Sequence, residues 1–349
     1  MERRWFKGML GVVGFFVFNF GISWGQQVIK LKFSSSFMPG EPPNVYANHT
    51  LDLVEQKTSG RVKIERFMAG ALGGPYEQLG LVRSGAVDIV SLHVDQFPQD
   101  LPLFQVTNTE VLLPHDVGLK MVTAIVHEKP ETKKIFEEEQ KRNNIKILHL
   151  YCNGPTGITL KFDGKTLADL KGKKINAIAP FHRKVWEELG VIPVNVSIPE
   201  LYESLSRGVI DGIFMATAAN VPLKWYEVAK SHLVLGQHTI FSTPLAFNLD
   251  KWNKLPEEVK KAFLEASYET AQWSTKQIEK VLEDTYKKFE ERGAKVRRLS
   301  DEEVKKFFTV LFKYSTEDWL KRCKDAGKEK EAQVVLKYWE EVRWGKKAL

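Results

Sequence analysis

Two similar stretches of sequence constrain the fold most. Residues 77–90 read EQLGLVRSGAVDIV, and residues 203–215 read ESLSRGVIDGIFM. In each, a helical pattern ends at a glycine, Gly85 or Gly208, which is followed by small or β-branched residues, an aspartate and a short apolar run. Glycine suits the left-handed end of a helix, and a continuous apolar run is typical of a buried parallel strand. The repeat predicts two similar α/β lobes with a ligand cleft between them.

The composition is that of an ordinary globular protein. The chain has 349 residues, enough for two lobes, with 43% hydrophobic and 27% charged residues. Its formal net charge is +7, but lysine and arginine alternate with aspartate and glutamate, most clearly after residue 250. Such interleaving is typical of solvated helix faces. We therefore expect no nucleic-acid partner, and we expect a monomer.

The N-terminus predicts export. Residues 2–7 form a segment of net positive charge, and residues 9–24 form an almost uncharged apolar run. Ser23-Trp24-Gly25 has small residues at the two positions that signal peptidase recognises. The apolar run is shorter than the roughly 20 residues of a membrane-spanning helix. We expect a signal peptide over residues 1–25, cleaved near Gly25, and a periplasmic location. An uncleaved membrane anchor is the alternative.

Beyond this segment, strands and helices alternate, which favours open, mostly parallel sheets covered by helices. Strands are predicted at 28–33, 61–67, 87–92, 145–151, 173–179, 192–196, 212–216, 232–235 and 244–249. Helices are predicted at 44–57, 75–84, 116–141, 180–189, 199–207, 301–314, 317–326 and 330–344, and Pro130 is a candidate break in the third of them. Pro256 and Gly293 bracket one further helix, which at 1.5 Å per residue would be roughly 50 Å long. This helix is longer than a small lobe, so we expect it to contact both lobes.

Motifs of common enzymes are incomplete. Gly164-Lys165-Thr166 resembles the end of a phosphate-binding loop, but Thr159 stands where that loop needs a glycine. The histidines have no metal-binding spacing, and no nucleophile elbow is present. We expect no catalysis, no metal and no cofactor. The two cysteines, Cys152 and Cys323, exclude a disulfide framework, and we expect isolated thiols, with a single bridge as the alternative.

Seven short motifs occur in an order and spacing that resemble one family. They are KTSGRVKI at 57–64, AGALG at 69–73, SGAVD at 84–88, DLKGKKI at 169–175, PELYESL at 199–205, GVIDG at 208–212 and LPEEV at 255–259. From Ile29 to about Ala271 the chain is similar to the periplasmic solute-binding proteins of TRAP transporters, the tripartite ATP-independent uptake systems. The resemblance implies a two-lobed α/β fold of the periplasmic-binding-protein type (type II-like), with a long helix across both lobes.

The resemblance also implies a function and a domain division. Lobe I would comprise residues 26–149 and 237–275, and lobe II residues 150–236 and 276–349 with the C-terminal helices. The lobes would capture a small organic ligand, an organic acid or a less polar solute, by hinge closure and deliver it to membrane permease subunits. Two alternatives stay open: a periplasmic subunit that reports its ligand to a sensor, and a periplasmic enzyme on a binding-protein fold.

Two positions depart from the family pattern. Asn176 stands where the family usually has an arginine that holds the ligand's carboxylate, and Met215 stands where many members have an asparagine. A buried carboxylate needs a cation or several donors, so the cleft should favour a neutral or weakly anionic ligand with apolar surface. Arg183 or His182 could replace the cation, and Asn176→Arg should improve carboxylate binding. By position, the resemblance implies these ligand-binding residues: Phe37, His93, Asp95, Asn153, Asn176, Ile198, Met215 and Phe241.

Overall fold

The computed structural model describes residues 27–343, so the predicted signal peptide at 1–25 lies outside the described residues. In the first half of that range the elements are β1 Ile29–Ser34, α1 Pro42–Lys57, β2 Val62–Phe67, α2 Gln78–Ser84, β3 Ile89–Ser91, α3 His115–Thr123, α4 Pro130–Arg142, β4 Ile145–Ile147, β5 Tyr151–Gly154, β6 Thr156–Leu160 and β7 Lys174–Asn176. In the second half they are α5 Pro180–Glu188, β8 Ile192–Val194, α6 Leu201–Arg207, β9 Gly212–Ala216, β10 Ser231–Val234, β11 Ile240–Ser242, β12 Leu245–Asn248, α7 Leu249–Lys254, α8 Glu257–Glu291, β13 Lys295–Arg298, α9 Asp301–Asp325 and α10 Glu329–Arg343.

The glycine caps and the long helix are confirmed. Gly85 and Gly208 follow α2 and α6 with φ angles of 77°, in the left-handed region that glycine enters without steric cost. The long helix is α8. The helix predicted at 116–141 is divided into α3 and α4, and α4 begins at Pro130, the candidate break. Some details were wrong: the strand predicted at 145–151 is divided between β4 and β5, and β11 and β13 were not predicted. The helices predicted at 301–314 and 317–326 are one helix, α9, and the stretch before residue 173 contains a strand, β6, that its flanking glycines and prolines concealed.

The first lobe is built on a sheet of order β2-β1-β3-β12-β4. β1 pairs in parallel with β2 and β3, whereas β12 runs antiparallel to β3 and β4. Along β1, Leu31 and Phe33 are buried while Lys30 and Lys32 are exposed, as expected for a strand with one covered face. α1 packs against this sheet and against α8.

The second lobe is built on a sheet of order β13-β10-β6-β9-β7-β8. β6 runs antiparallel to both neighbours, and the other pairs are parallel. Each sheet therefore contains a single reversed strand, β12 in the first lobe and β6 in the second. The sequence-based expectation of mostly parallel sheets holds apart from these two strands.

A two-stranded linker, β5 paired with β11, joins the lobes. β5 leads from the carboxyl end of β4 to the amino end of β6, and β11 leads from the carboxyl end of β10 to the amino end of β12. Because β6 and β12 are the reversed strands, their amino ends lie on the same edges as the carboxyl ends of their neighbours. The linker therefore connects the carboxyl edges of the two sheets, which face each other across the joint.

Two long helices cross the joint beside the linker. α8 packs against α1 of the first lobe, against β5 and against β13 of the second lobe. α9 begins in the second-lobe core, where Phe307, Phe308 and Phe312 are buried, and ends in the first-lobe core with Trp319 and Cys323. Burial at both ends explains why α9 is continuous.

The division of the chain into lobes stays a prediction. α10, which that division places with the second lobe, packs against α3 and α4 of the first lobe. The indole of Trp339 on α10 donates to Thr109 Oγ1 at 2.9 Å, and Trp319 on α9 donates to the carbonyl of Pro102 at 2.8 Å. The C-terminal helices thus contact the first lobe extensively.

Candidate functional site

The facing carboxyl edges place six loops around a cleft. These cleft loops are residues 35–41, 68–77 and 92–98 of the first lobe and residues 177–183, 195–200 and 217–223 of the second, and the range 177–183 includes the first turn of α5. Several large apolar side chains in them are open to solvent. On the first lobe these are Met38, Leu72 and Tyr76, and on the second they are Ile178 and Ile198. Exposed apolar side chains on both facing edges indicate a surface for a partly apolar ligand.

An aromatic pair forms part of the first-lobe wall. The rings of Phe37 and His93 stack with their centroids 3.9 Å apart and their planes 17° apart. Ser36 Oγ lies 2.9 Å from His93 Nε2. Burial lowers the pKa of His93, against the opposing effect of the Asp95 carboxylate, so the ring is neutral at neutral pH. Asp95 itself is exposed and accepts a hydrogen bond from Gln96.

A small polar cluster lies where the linker meets the first lobe. The amide of Asn153 on β5 donates to Ser242 Oγ and Thr243 Oγ1, each at 3.0 Å, and its oxygen accepts from Thr243 Oγ1 at 3.1 Å. Thr243 has a φ angle of 54°, which is strained for a β-branched residue. Its two contacts with Asn153 hold this conformation directly beside the linker.

Asn176 ends β7 and is almost completely buried. Its Oδ1 accepts from the backbone N–H of Phe214 at 2.6 Å, and its Nδ2 donates to the carbonyl of Phe214 at 3.4 Å. The side chain thereby extends the pairing of β7 with β9. Its own carbonyl accepts from the indole of Trp186 at 3.0 Å. Met215 follows Phe214 and is half-buried against the apolar cluster around α6.

Neither candidate replacement for the missing arginine is a buried cation. Burial lowers the pKa of His182 to about 4, so this histidine is neutral at neutral pH. Its ring packs edge-on against Phe181 and Phe214. Arg183 is exposed and lies 3.9 Å from Glu187, one turn along α5.

Two further predicted residues differ in their exposure. Ile198, 40% exposed, begins a helical turn after β8. Phe241 on β11 is 1% exposed and packs against α3, where a Cβ added to Gly118 would lie 2.8 Å from its ring. Phe241 thus lies in the first-lobe core rather than at the cleft surface.

The structure brings some of the predicted residues together and leaves others apart. Phe37, His93 and Asp95 share one wall, and Asn176 and Met215 lie on neighbouring strands. Asn153 lies at the joint. Sequence reasoning missed Ser36 and Thr243; a signal was present, since hydroxyl side chains directly follow β1 and β11 in the sequence. The role of all these residues in ligand binding stays a prediction.

The described part of the chain has neither a metal-binding cluster nor a helix that could span a membrane. Among residues 27–343, no cluster of three or more histidine, cysteine, aspartate or glutamate side chains could hold a metal ion. Within the same range, no helix has the length and apolar character needed to cross a membrane. Cys152 and Cys323 are free and buried, which confirms the expectation of isolated thiols.

Comparison with known proteins gives a consistent result. Residues 33–320 match the family model described as bacterial extracellular solute-binding protein, family 7. The chain is similar to the C4-dicarboxylate-binding protein DctB of Bacillus subtilis, with 23% identity over 290 residues, 82% of this chain and 81% of that protein. It is also similar to the ectoine-binding periplasmic protein TeaA of Halomonas elongata, with 23% identity over 275 residues, 77% of this chain and 78% of that protein.

A solved structure has the same fold. It is an open form of a TRAP periplasmic solute-binding protein from Desulfovibrio salexigens, with a TM-score of 0.76 and 23% identity over 90% of this chain and 95% of that chain. The two-lobed architecture with its long helix is therefore confirmed. Members of the family bind small molecules outside the cytoplasm and work with TRAP membrane permeases. Because the family match spans most of the chain, this protein belongs to the bacterial extracellular solute-binding proteins of family 7, the solute-binding proteins of TRAP transporters.

Proposed function

We propose that the protein captures a small organic solute with apolar surface and little or no net negative charge, and delivers it to the membrane subunits of a TRAP transporter. The solute would lie between the cleft loops of the two lobes. The observation that carries this proposal is the charge of those loops. It limits the ligands that the closed cleft can hold.

The cleft loops contain four carboxylates and one guanidinium. The carboxylates are Glu41, Glu77, Asp95 and Glu200, and the guanidinium is that of Arg183. Arg183 lies near Glu187 and is exposed. A dicarboxylate enclosed here would meet like charges without a buried cation to compensate them, and an unpaired buried charge is costly. The loops therefore disfavour small dianions.

Neutral groups offer an alternative basis for recognition. His93 is neutral at neutral pH, and the cluster of Asn153, Ser242 and Thr243, whose side chains bond one another, adds polar groups without charge beside the linker. Met38 and Ile198 are exposed on opposite edges. Such a cleft matches a ligand with apolar faces and a few hydrogen-bonding groups.

The relatives differ in the ligands for which they are named. The Bacillus protein is named for C4-dicarboxylates, and the Halomonas protein is named for ectoine. In this chain the position implied to hold a carboxylate is occupied by Asn176 instead of an arginine. The Asn176 side chain is hydrogen-bonded to the backbone of Phe214. We therefore expect the ligand of this protein to be a solute of low net charge rather than a dicarboxylate.

The mechanism that we infer is capture without chemical change. Ligand contacts on both lobes would favour a closed arrangement by their differential affinity, and the linker would bend at β5 and β11. We infer that the protein makes or breaks no bond in its ligand. We also infer that it is exported by a signal peptide at residues 1–25, cleaved near Gly25, and acts as a periplasmic monomer.

Calorimetric titration tests the ligand class. The purified mature protein is titrated with succinate, malate, an aromatic monocarboxylate, a zwitterionic compatible solute and a neutral cyclic solute at pH 7. We expect dissociation constants in the micromolar range or below only among the last three classes. Tight binding of succinate or malate would overturn the proposal, and turnover of any bound compound, followed by mass spectrometry, would overturn the inference that no bond is made.

A further inference from the structure

A buried polar cluster lies at the joint, away from the cleft loops. Its centre is Thr156, the first residue of β6, which receives the chain from the linker. His238 precedes β11 on the second crossing of the linker. Glu110 belongs to a first-lobe segment whose next residue, Val111, pairs with Thr239 of the linker through two backbone hydrogen bonds, of 2.8 and 3.0 Å. The first lobe, the linker and the second lobe thus meet in one cluster.

The hydrogen bonds of His238 identify its tautomer. The backbone N–H of Thr156 lies 3.0 Å from His238 Nε2 and can only donate, so this nitrogen accepts and carries no proton. The proton is on Nδ1, which donates to the carbonyl of Gly236 at 3.3 Å. Burial lowers the pKa of His238 to about 3, and this ring therefore stays neutral at physiological pH.

Glu110 is the group in this cluster that can change its charge near neutral pH. Its Oε1 accepts from Thr156 Oγ1 at 3.4 Å, and that hydroxyl also lies 3.0 Å from His238 Nε2. Burial raises the pKa of Glu110 to about 7, against the opposing effects of its own backbone N–H, Arg343 and Thr156. Burial is the main cause of the raised pKa, and one of the contacts that favour the ionised form, that with Thr156, is made across the joint.

Arg343 ties the C-terminal helix to the same place. It is 1% exposed, and its guanidinium donates to Thr316 Oγ1 of α9 at 2.6 Å and to Thr109 Oγ1 of the first lobe at 3.4 Å. It also pairs with Glu340 at 2.8 Å. Its positive charge favours the ionised form of Glu110.

We propose that Glu110, Thr156 and His238 form a proton-linked latch at the joint, which favours the lobe arrangement seen here when Glu110 is ionised and releases it when Glu110 binds a proton. The proposal concerns the empty protein and does not depend on which solute the cleft accepts. It would couple opening and closing to the pH of the compartment. The three latch residues come from the first lobe, the second lobe and the linker, so a change in lobe orientation changes their mutual contacts.

The direction of the pH effect follows from the contacts. In the present arrangement, the Thr156 hydroxyl stabilises the Glu110 carboxylate. An arrangement that withdraws Thr156 while Glu110 stays buried beside the Val111–Thr239 pair leaves the carboxylate with one partner fewer, so the pKa of Glu110 is higher there. Raising the pH through about 7 therefore favours the present arrangement. The other ionisable groups that face the cluster are His115 and Asp116 of α3, Glu279 of α8, and Glu340 and Arg343 of α10.

Fluorescence energy transfer between the lobes tests the latch. Both native thiols are buried, so dyes can be attached to cysteines introduced at exposed positions by Gln99→Cys in the first lobe and Ala168→Cys in the second. The ligand-free protein is titrated from about pH 5.5 to about pH 8.5. We expect a transition in transfer efficiency with a midpoint near pH 7, and a pKa difference of one unit between the arrangements would change their ratio about tenfold.

Three variants in the labelled background identify the responsible group. Glu110→Gln should give a pH-independent efficiency equal to that of the acid form, and Thr156→Val should reduce the transition. Glu139→Gln is the matched control: Glu139 is also buried with a pKa raised to about 7 by burial, but its carboxylate accepts from Leu103 and Phe104 within the first lobe. We expect this control to keep the transition.

A pH transition that is present in the labelled protein and in Glu139→Gln but absent in Glu110→Gln would support the latch. A labelled protein without a transition, a Glu110→Gln variant with the parent's transition, or an equal loss in Glu139→Gln would overturn the latch. Circular dichroism checks that each variant is folded. If Glu110→Gln does not fold, Thr156→Val carries the test, because it removes the hydroxyl and keeps the shape of the side chain.

Discussion

Asn176 is joined to the backbone of Phe214 by two hydrogen bonds, one from the N–H of Phe214 to Oδ1 and one from Nδ2 to its carbonyl, 2.6 and 3.4 Å long. The side-chain amide thus takes the place of a peptide group and continues the pairing of β7 with β9 towards the cleft edge. The resemblance implied a ligand-binding role for Asn176, which stays a prediction, and the structure shows in addition a structural role. A polar side chain at a strand end can serve either purpose, and only its partners distinguish them.

This relationship predicts how substitutions at the site behave. Asn176→Ala leaves the buried N–H of Phe214 without a partner, so we expect a loss of about 1–3 kcal/mol in the free energy of unfolding. Asn176→Arg, which the sequence alone predicts to improve carboxylate binding, should instead destabilise the protein without a gain in carboxylate affinity, because arginine has no acceptor for the N–H of Phe214. Urea unfolding and titration with succinate are the measurements. Asn253→Ala, at an exposed asparagine on α7 outside the cleft loops, is the control and should change stability by less than about 0.5 kcal/mol.

The stacked pair on the first-lobe wall predicts an effect on binding alone. Phe37 is half-buried and contacts His93, so Phe37→Ala should weaken binding of the best solute in the titration panel about tenfold or more. Its unfolding free energy should change little, because the side chain lies on a loop. Val334→Ala, at an exposed position on α10, is the control for both measurements. Equal affinity in wild type and Phe37→Ala would show that this wall does not contact the solute.

Much of the fold was predictable because local rules decide it. Gly85 and Gly208 mark two helix ends, since glycine is the residue that enters the left-handed region freely. The long helix was predictable because Pro256 and Gly293 enclose a stretch without a breaker. The break expected in α9 near residue 315 was wrong, because burial of Phe312 in one lobe and Trp319 in the other keeps the helix continuous. Tertiary packing of this kind is not visible in the local sequence.

The candidate site was predictable only by position along the chain. A residue that follows a strand lies near the cleft edge, and this rule places Phe37 and His93 correctly beside each other. It does not say whether a side chain points to the cleft or to a neighbour. Phe241 packs against α3, and the cluster around Glu110 and Thr156 joins residues that are 46 positions apart. Contacts at such separations depend on the topology of both lobes.

Export is tested on the native protein. The basic residues 2–7 and the small residues of Ser23-Trp24-Gly25 predict a mature chain that begins near residue 26. N-terminal sequencing of the protein from the envelope fraction of its source organism should find that start. Recovery of the protein with Met1 in the soluble cytoplasmic fraction would contradict the prediction.

The bridging helices predict a limited closing motion. α8 and α9 each pack on both lobes, so the lobes should rotate by bending at the linker rather than by separating. Small-angle scattering should show a modest decrease in the radius of gyration when the best solute of the titration panel saturates the protein. An unchanged radius at saturation would count against closure.

Acid should destabilise the protein through its buried neutral histidines. His232 is completely buried, lies 3.0 Å from Thr159 Oγ1, and stacks on Phe289 with ring centroids 4.9 Å apart. Burial lowers its pKa to about 3, whereas the unfolded chain has the ordinary value of about 6.5. The unfolded state therefore binds more protons below pH 6.5, and the stability that His232 contributes is present above that pH and is lost as the pH falls towards 3.

The His232→Gln variant isolates this contribution. Between pH 7 and pH 5, linkage predicts that His232 accounts for about 2 kcal/mol of the loss in unfolding free energy. Glu110 and Glu139 oppose the loss, because their raised pKa values let the folded state bind protons first, but they do so equally in wild type and variant. We expect the pH dependence of the urea midpoint to be shallower in His232→Gln, even if the variant is less stable at pH 7. If the urea midpoint depends equally on pH in wild type and His232→Gln, then His232 becomes protonated without unfolding. Its site would then be more accessible to water than its burial implies.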